Sequence, residues 1–177
     1  MKDYFGDRAW SDKFIPLIKQ IVGPLLLEPT KFTEDTSEVT DLIVLMAKDM
    51  RIAARMRRFD AGYSEQYPFD FTLRSNRSSG ARTELRKVVD GWGDWLFYGH
   101  GSSESSLCIP RWMIIDLHAF RAHLIRDGMR GTRCLKHGEI PNKDKKTKFY
   151  YFNIKSFPPS PPLLIASSFN LNEGIAA

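Results

Sequence analysis

Apolar residues near the start of the chain recur at helical spacing. Trp10, Phe14, Leu17, Ile18, Ile21 and Val22 form one stripe of an amphipathic helix. Ser11 or Asp7 is placed to cap this helix, and Gly23-Pro24 to end it. Glu28 to Thr40 reads as a polar connector. The pattern then changes. Leu42 to Met46 is a continuous apolar run suited to a buried strand, and Ala47 to Asp49 is a short turn. From Arg51 to Arg57 basic residues alternate with small or apolar ones. Arg51, Arg55 and Arg57 share one strand face, and Ile52, Ala54 and Met56 share the other. Together the two runs predict a hairpin.

Phe69 to Ser75, "FDFTLRS", predicts a third strand, and Ala81 to Asp90 a helix stopped by Gly91. The aromatic-rich "DWLFYGHG" from Asp94 predicts a fourth strand. Trp112 to Ile115 predicts a fifth, followed by a helix ending near Gly128. A late hairpin is expected after that, with Asn142 to Lys148 as its solvated tip. "FPPSPPLL" is a proline-bounded stop. A single domain over 1–168 and a loose tail over 169–177 are expected. A three-stranded meander with a helical crossover to a fourth strand predicts an α/β (α+β) fold, a mixed sheet flanked by helices.

Composition narrows the class without deciding the function. The 177 residues suit one domain, and 42% hydrophobic with 27% charged residues is usual for a folded chain. No apolar run reaches the roughly 18 residues of a membrane span, and the N-terminus lacks a signal-peptide core. A cytoplasmic protein with no membrane partner is expected. Cys108 and Cys134 belong to no metal-spaced cluster and read as buried or idle thiols. His118 and His123 lie five apart, off the i, i+4 spacing of a helical zinc pair.

Charge distribution adds more. The net charge is +5 and the pI near 9.2, which permits an anionic partner. "RIAARMRR" holds four arginines and no acid, and "RSNRSSGARTELRK" sets Glu84 alone among Arg74, Arg77, Arg82, Arg86 and Lys87. Arginine in such density favours bidentate contact with phosphate or carboxylate.

The order α-β-β-β-α-β, with this placement of charge, resembles the PD-(D/E)xK nuclease-like superfamily, whose mixed sheet is that of restriction endonucleases. Segments such as "GWGDWLFYGHG" also resemble small bacteriophage proteins. The resemblance implies a magnesium-dependent nuclease acting on DNA, with carboxylates holding the ion and a cation beside the attacking water. Asp41, opening "DLIVL", matches the first acid. The expected second acid is missing, because the facing strand reads Ala53-Ala54-Arg55. Two replacements are open. Asp70 can serve, with Thr72 where the lysine would stand. Alternatively Glu84 serves from the following helix, with Arg74 or Lys87 as the cation, and Glu84 is preferred. The implied site is therefore Asp41, Asp70, Glu84 and Lys87, with magnesium on Asp41 and Glu84. Arg51, Arg55, Arg57, Arg58, Arg74 and Arg77 would contact DNA phosphates.

Each candidate also has a structural role open to it. Asp41 can simply start a strand, Asp70 can pair with an arginine, and Glu84 can pair with Lys87 on a helix surface. Trp92, Trp95, Phe97 and Tyr98 read as packing. The alternative function is a non-catalytic protein of the same fold that binds nucleic acid or blocks a host enzyme. The oligomeric state, a homodimer included, stays open.

Overall fold

The structure, a computed structural model, describes residues 4–29, 42–44, 50–59, 66–77, 80–102, 107–130, 134–142 and 147–171. The predicted first helix is two helices, α1 (Tyr4–Asp12) and α2 (Ile15–Val22). The break follows from Pro16, which has no N–H to donate back to residue 12 and sits in the opening turn of α2 instead. Phe14, Ile18 and Val22 of the predicted stripe are buried. Gly23–Leu26 winds into a 3-10 turn that ends the helical segment, as Gly23-Pro24 led one to expect.

In chain order there follow β1 (Leu27–Pro29), β2 (Leu42–Val44), β3 (Ile52–Arg58), β4 (Asp70–Arg77), α3 (Glu84–Val89), β5 (Trp95–Ser102) and β6 (Cys108–Asp116). Then come α4 (Leu117–Arg130), β7 (His137–Pro141), β8 (Thr147–Asn153) and β9 (Leu164–Ser167). The described residues form a mixed α/β structure of the α+β kind. One sheet has the order β3-β5-β6-β9, a second the order β4-β8-β7, and β1 pairs with β2.

This pairing corrects the predicted hairpin and meander. β2 pairs antiparallel with β1, whereas β3 lies parallel to β5 with Arg55 opposite Tyr98 and Arg57 opposite His100. β4 leaves for the other sheet and pairs with β8. The burial of each strand gives the reason. β5 is covered on both faces, with Leu96, Phe97 and Tyr98 all buried, so it takes a central place. β3 takes an edge place, which leaves Arg51 and Arg58 in solvent while Arg55 is largely covered. β4 is buried through Phe71, Thr72 and Leu73 and finds its cover in the aromatic strand β8.

Two apolar clusters flank the four-stranded sheet. On one side Phe14, Ile18 and Val22 pack on Phe97 and Ile114, with Ile52 and Met56 of β3 joining them. On the other, Leu96, Tyr98, Met113 and Ile115 meet Phe71, Leu73 and Phe152 of the second sheet, with Leu117 and Phe120 of α4. Gly101 makes the first packing possible. A Cβ there would sit 2.5 Å from the Phe14 ring, so only glycine admits that ring against β5.

The late hairpin forms as β7 and β8, and α4 runs two residues past Gly128. β9 was not foreseen. It follows the proline run and pairs with β6. Phe169, expected in the loose tail, packs its ring against Phe69 at 5.8 Å and under the Arg111 guanidinium at 3.9 Å. Cys108 and Cys134 are not joined in a disulfide, and both are exposed, not buried. No described helix is long and apolar enough to cross a membrane.

Candidate functional site

The basic side chains of β3 divide between its two faces as the alternation predicts. Arg55 and Arg57 project toward the second sheet, and Met56 toward α1 and α2. Arg74 arrives from β4, where a bulge between Arg74 and Asn76 shifts the register against β8. The three guanidinium groups converge on one ring. Their central carbons lie 5.0 Å (Arg55), 5.2 Å (Arg57) and 5.5 Å (Arg74) from the centre of Phe149. No two of them are therefore more than about 11 Å apart. Phe149 is the cross-strand partner of Arg74, is buried, and belongs to neither apolar cluster. The flat cations cover it.

Glu84 supplies the countercharge. Nη1 of Arg55 donates to its Oε2, and the backbone N–H of Arg74 donates to the same oxygen at 3.0 Å. Local sequence sets this position. Thr83 caps α3 by accepting from the Arg86 N–H, which places Glu84 in the first turn where the helix dipole favours an anion. Among the described residues neither Arg57 nor Arg74 has a carboxylate partner for its side chain. Nε of Arg55 and Nε of Arg74 are buried and meet no hydrogen-bond partner there either.

The field of this cluster is visible on its neighbours. Burial holds Arg55 below the ordinary arginine pKa, Glu84 works against that, and the charges of Arg57 and Arg74 add to it. Arginine nevertheless keeps its proton in proteins. His100, opposite Arg57 in the sheet, is lowered to about 4 by burial and then by the charges of Arg57 and Arg111. It is neutral at pH 7.

The other candidates lie apart. Asp41 is outside the described residues. Asp70 is buried at the start of β4 and accepts from Nδ2 of Asn153 at 2.6 Å; burial raises its pKa. Four residues separate it from Arg74, about 13 Å along a strand, so Asp70 is set well along the strand from Glu84's attachment point. Thr72 is fully buried, its hydroxyl 3.2 Å from that of Tyr98. Lys87 is exposed on α3, and Glu84 pairs with Arg55 instead of with it. Arg82 and Arg86 both go to Asp90, at 3.0 and 3.1 Å. Arg58 lies on the opposite face of β3, over Trp10 at 4.7 Å and 3.8 Å from Asp7. Arg51 stands at the strand's start, bound to Asp94 and over the ring of Trp92 at 6.0 Å. The side chain of Arg77 is outside the described set.

Two residues escaped the sequence reading. Phe149 sits in "FYYF", where nothing marks one ring as a platform for arginines. Trp92 was expected to pack, and Phe97 and Tyr98 do, but Trp92 is 56% exposed. The flanking pair Gly91 and Gly93, at φ 93° and 80°, was the available signal for a residue turned outward.

A magnesium site needs several oxygen ligands converging on one point. Among the described residues no group of three or more His, Cys, Asp and Glu side chains is so gathered. Glu84 is committed to Arg55 and lies beside three guanidinium groups, a field that repels a divalent cation. Asp41, the other ligand that the resemblance implies, is outside the described residues; the described side chains around Glu84 suit an anion. No protein-family model, curated protein or solved structure matches this chain.

Proposed function

We propose that this protein binds the phosphate groups of nucleic acid at the Arg55–Arg57–Arg74 cluster and does not cleave them. One observation carries the reading: three guanidinium groups share one buried ring, and the carboxylate beside them, Glu84, pairs with the side chain of Arg55 alone. Assembling like charges is unfavourable, and an anion relieves it. Guanidinium groups match phosphate oxygens in pairs. The basic pI of 9.2 agrees with a polyanionic partner. The restriction-endonuclease-like reading has less support: four strands, β1 to β4, stand between α2 and α3 in place of three, and the described strands lack the meander pairing of that core.

Fluorescence anisotropy with labelled oligonucleotides at several salt concentrations tests this. Affinity should fall steeply with salt, be the same in magnesium and in chelator at constant ionic strength, and drop about tenfold or more in Arg57→Ala/Arg74→Ala. Absence of salt-dependent binding to any DNA or RNA form sinks the reading. Plasmid nicking in magnesium that is lost in Asp41→Ala would replace it with the nuclease.

A further inference from the structure

The segment from Glu84 to Asp94, which holds helix α3, is tied to the segment from Arg51 to Arg55 at two points. Its first residue, Glu84, holds Arg55. Beyond the last turn of α3, the Asp94 N–H donates to the Arg51 carbonyl at 2.9 Å, and the Arg51 N–H returns a bond to Asp94 Oδ2 at 2.8 Å. Arg51, Ala53, Arg55 and Arg57 occupy same-side positions of one extended segment. From Arg51 to Arg57 that segment covers about 20 Å. Ala53, between the cations, is exposed and small, and Lys87 is exposed on α3. A basic stripe results, longer than the phenylalanine-centred cluster alone.

At its Arg51 end the stripe terminates in an aromatic face. Trp92 is 56% exposed although the backbone around it is fixed: its N–H donates to the Lys87 carbonyl at 3.0 Å. Gly91 and Gly93 both take positive φ, a conformation other residues rarely adopt, and so turn the indole outward between two tight bends. Gly93 has a second constraint, since a Cβ there would meet Leu117 at 3.0 Å. The Arg51 guanidinium lies over the ring at 6.0 Å, the arrangement in which an arginine and a base can share an indole.

We propose that the ligand is single-stranded nucleic acid, lying along β3 with one base stacked on Trp92 and its phosphates on the Arg55–Arg57–Arg74 cluster. This rests on the phosphate reading of that cluster. A duplex keeps its base faces inside its own stack and has none to offer the indole, whereas a single strand does. Charge complementarity fixes the polarity of the partner, and the exposed ring fixes its unpaired state. DNA and RNA single strands share this chemistry.

The test compares wild type, Trp92→Ala, Trp92→Phe and Arg57→Ala/Arg74→Ala. Each is titrated with labelled oligothymidylate, oligouridylate and a DNA duplex, and with inorganic polyphosphate as a probe that has charge but no bases. Trp92 is at the surface, so its variants should fold, which circular dichroism checks. Trp92→Ala should weaken single-strand binding about 5- to 100-fold, Trp92→Phe should recover part of the loss, and polyphosphate affinity should not change. The tighter of the two single strands names the source. Equal single-strand affinity in wild type and Trp92→Ala, or a duplex bound as tightly as a single strand, overturns the stacking proposal and leaves the cluster standing. Wild type that ignores polyphosphate as well as nucleic acid overturns the cluster reading itself.

Discussion

Glu84 is joined to Arg55, a residue 29 positions earlier in the chain and on a different kind of element. The bond fastens α3 to β3, and it also seats a carboxylate where a phosphate would go. Glu84→Gln keeps the shape and removes the charge. With Glu84 37% exposed, the pair is partly screened, and a stability loss of about 1–3 kcal/mol is expected in place of the larger cost of a fully buried pair. The same change leaves the cluster with no internal competitor. Added sulfate should therefore raise the melting temperature of the variant more than that of wild type, and polyphosphate should bind it more tightly. Thermal unfolding with and without sulfate measures both, and an identical sulfate response in the two proteins would speak against competition at this seat.

His100 should act as an internal reporter of the site. Its folded pKa of about 4 lies below the ordinary 6.5. Above pH 6.5 it is neutral in both folded and unfolded chains and has no effect on stability. As pH falls from 6.5 to about 4, the unfolded chain takes up a proton that the folded protein does not. Stability should fall over that window, by up to on the order of 3 kcal/mol. His100→Gln should flatten this part of the profile. An anion held by Arg57 offsets the charge that helps keep the imidazole neutral, so ligand should raise its pKa, read by NMR of the ring. A ring that titrates identically with and without bound polyphosphate would argue that the anion sits elsewhere.

Asp70 makes the opposite kind of contribution. Burial raises its folded pKa above the ordinary 3.8. Above that folded value the carboxylate is ionised in both states and its desolvation weighs against folding. That penalty disappears as pH falls through the folded value, and is gone below 3.8. Asp70→Asn can still accept from Asn153 Nδ2, so the variant should melt higher than wild type at pH 7, with the gap closing on acidification. Denaturation at both pH values checks this. A destabilised variant at pH 7 would mean that the attraction of Lys136 and the bond from Asn153 outweigh the burial of the carboxylate.

The packing of Phe14 on Gly101 gives a test of the fold itself. Gly101→Ala forces the ring outward and should cost about 1–3 kcal/mol. Adding Phe14→Leu should restore part of the loss, because the smaller side chain leaves room for the new methyl. Urea titration of the single and double variants measures the coupling. Strict additivity would mean that the two positions do not meet.

Much of this was legible in the chain, and the limits have physical causes. The stripe of Phe14, Ile18 and Val22 and the two-sided alternation of β3 came directly from periodicity, because period reports which face a residue occupies. Period says nothing about which strand lies alongside. An antiparallel hairpin and a parallel neighbour leave the same alternation, so the placement of β3 beside β5, and of β4 in another sheet, was hidden. The isolated acid at Glu84 did signal something. Its partner proved to be Arg55, not a metal ligand within the described residues, and that choice depends on a long-range contact. Phe149 and Trp92 were missed for complementary reasons. A ring inside an aromatic strand gives no sign of being covered by cations, and a tryptophan is by default expected inside.

The arginines of the site all lie in the first half of the chain, but the parts that shelter them come late. Phe149 belongs to β8, which completes one sheet, and β9 completes the other. Closing contacts over such separations is slow, and a growing chain folds only what has already emerged. A nascent chain that stops short of residue 149 carries Arg55, Arg57 and Arg74 with no common ring to gather them. On the proposed reading, the basic segment would be open during synthesis to any polyanion nearby, and selectivity would begin only when the last strands arrive.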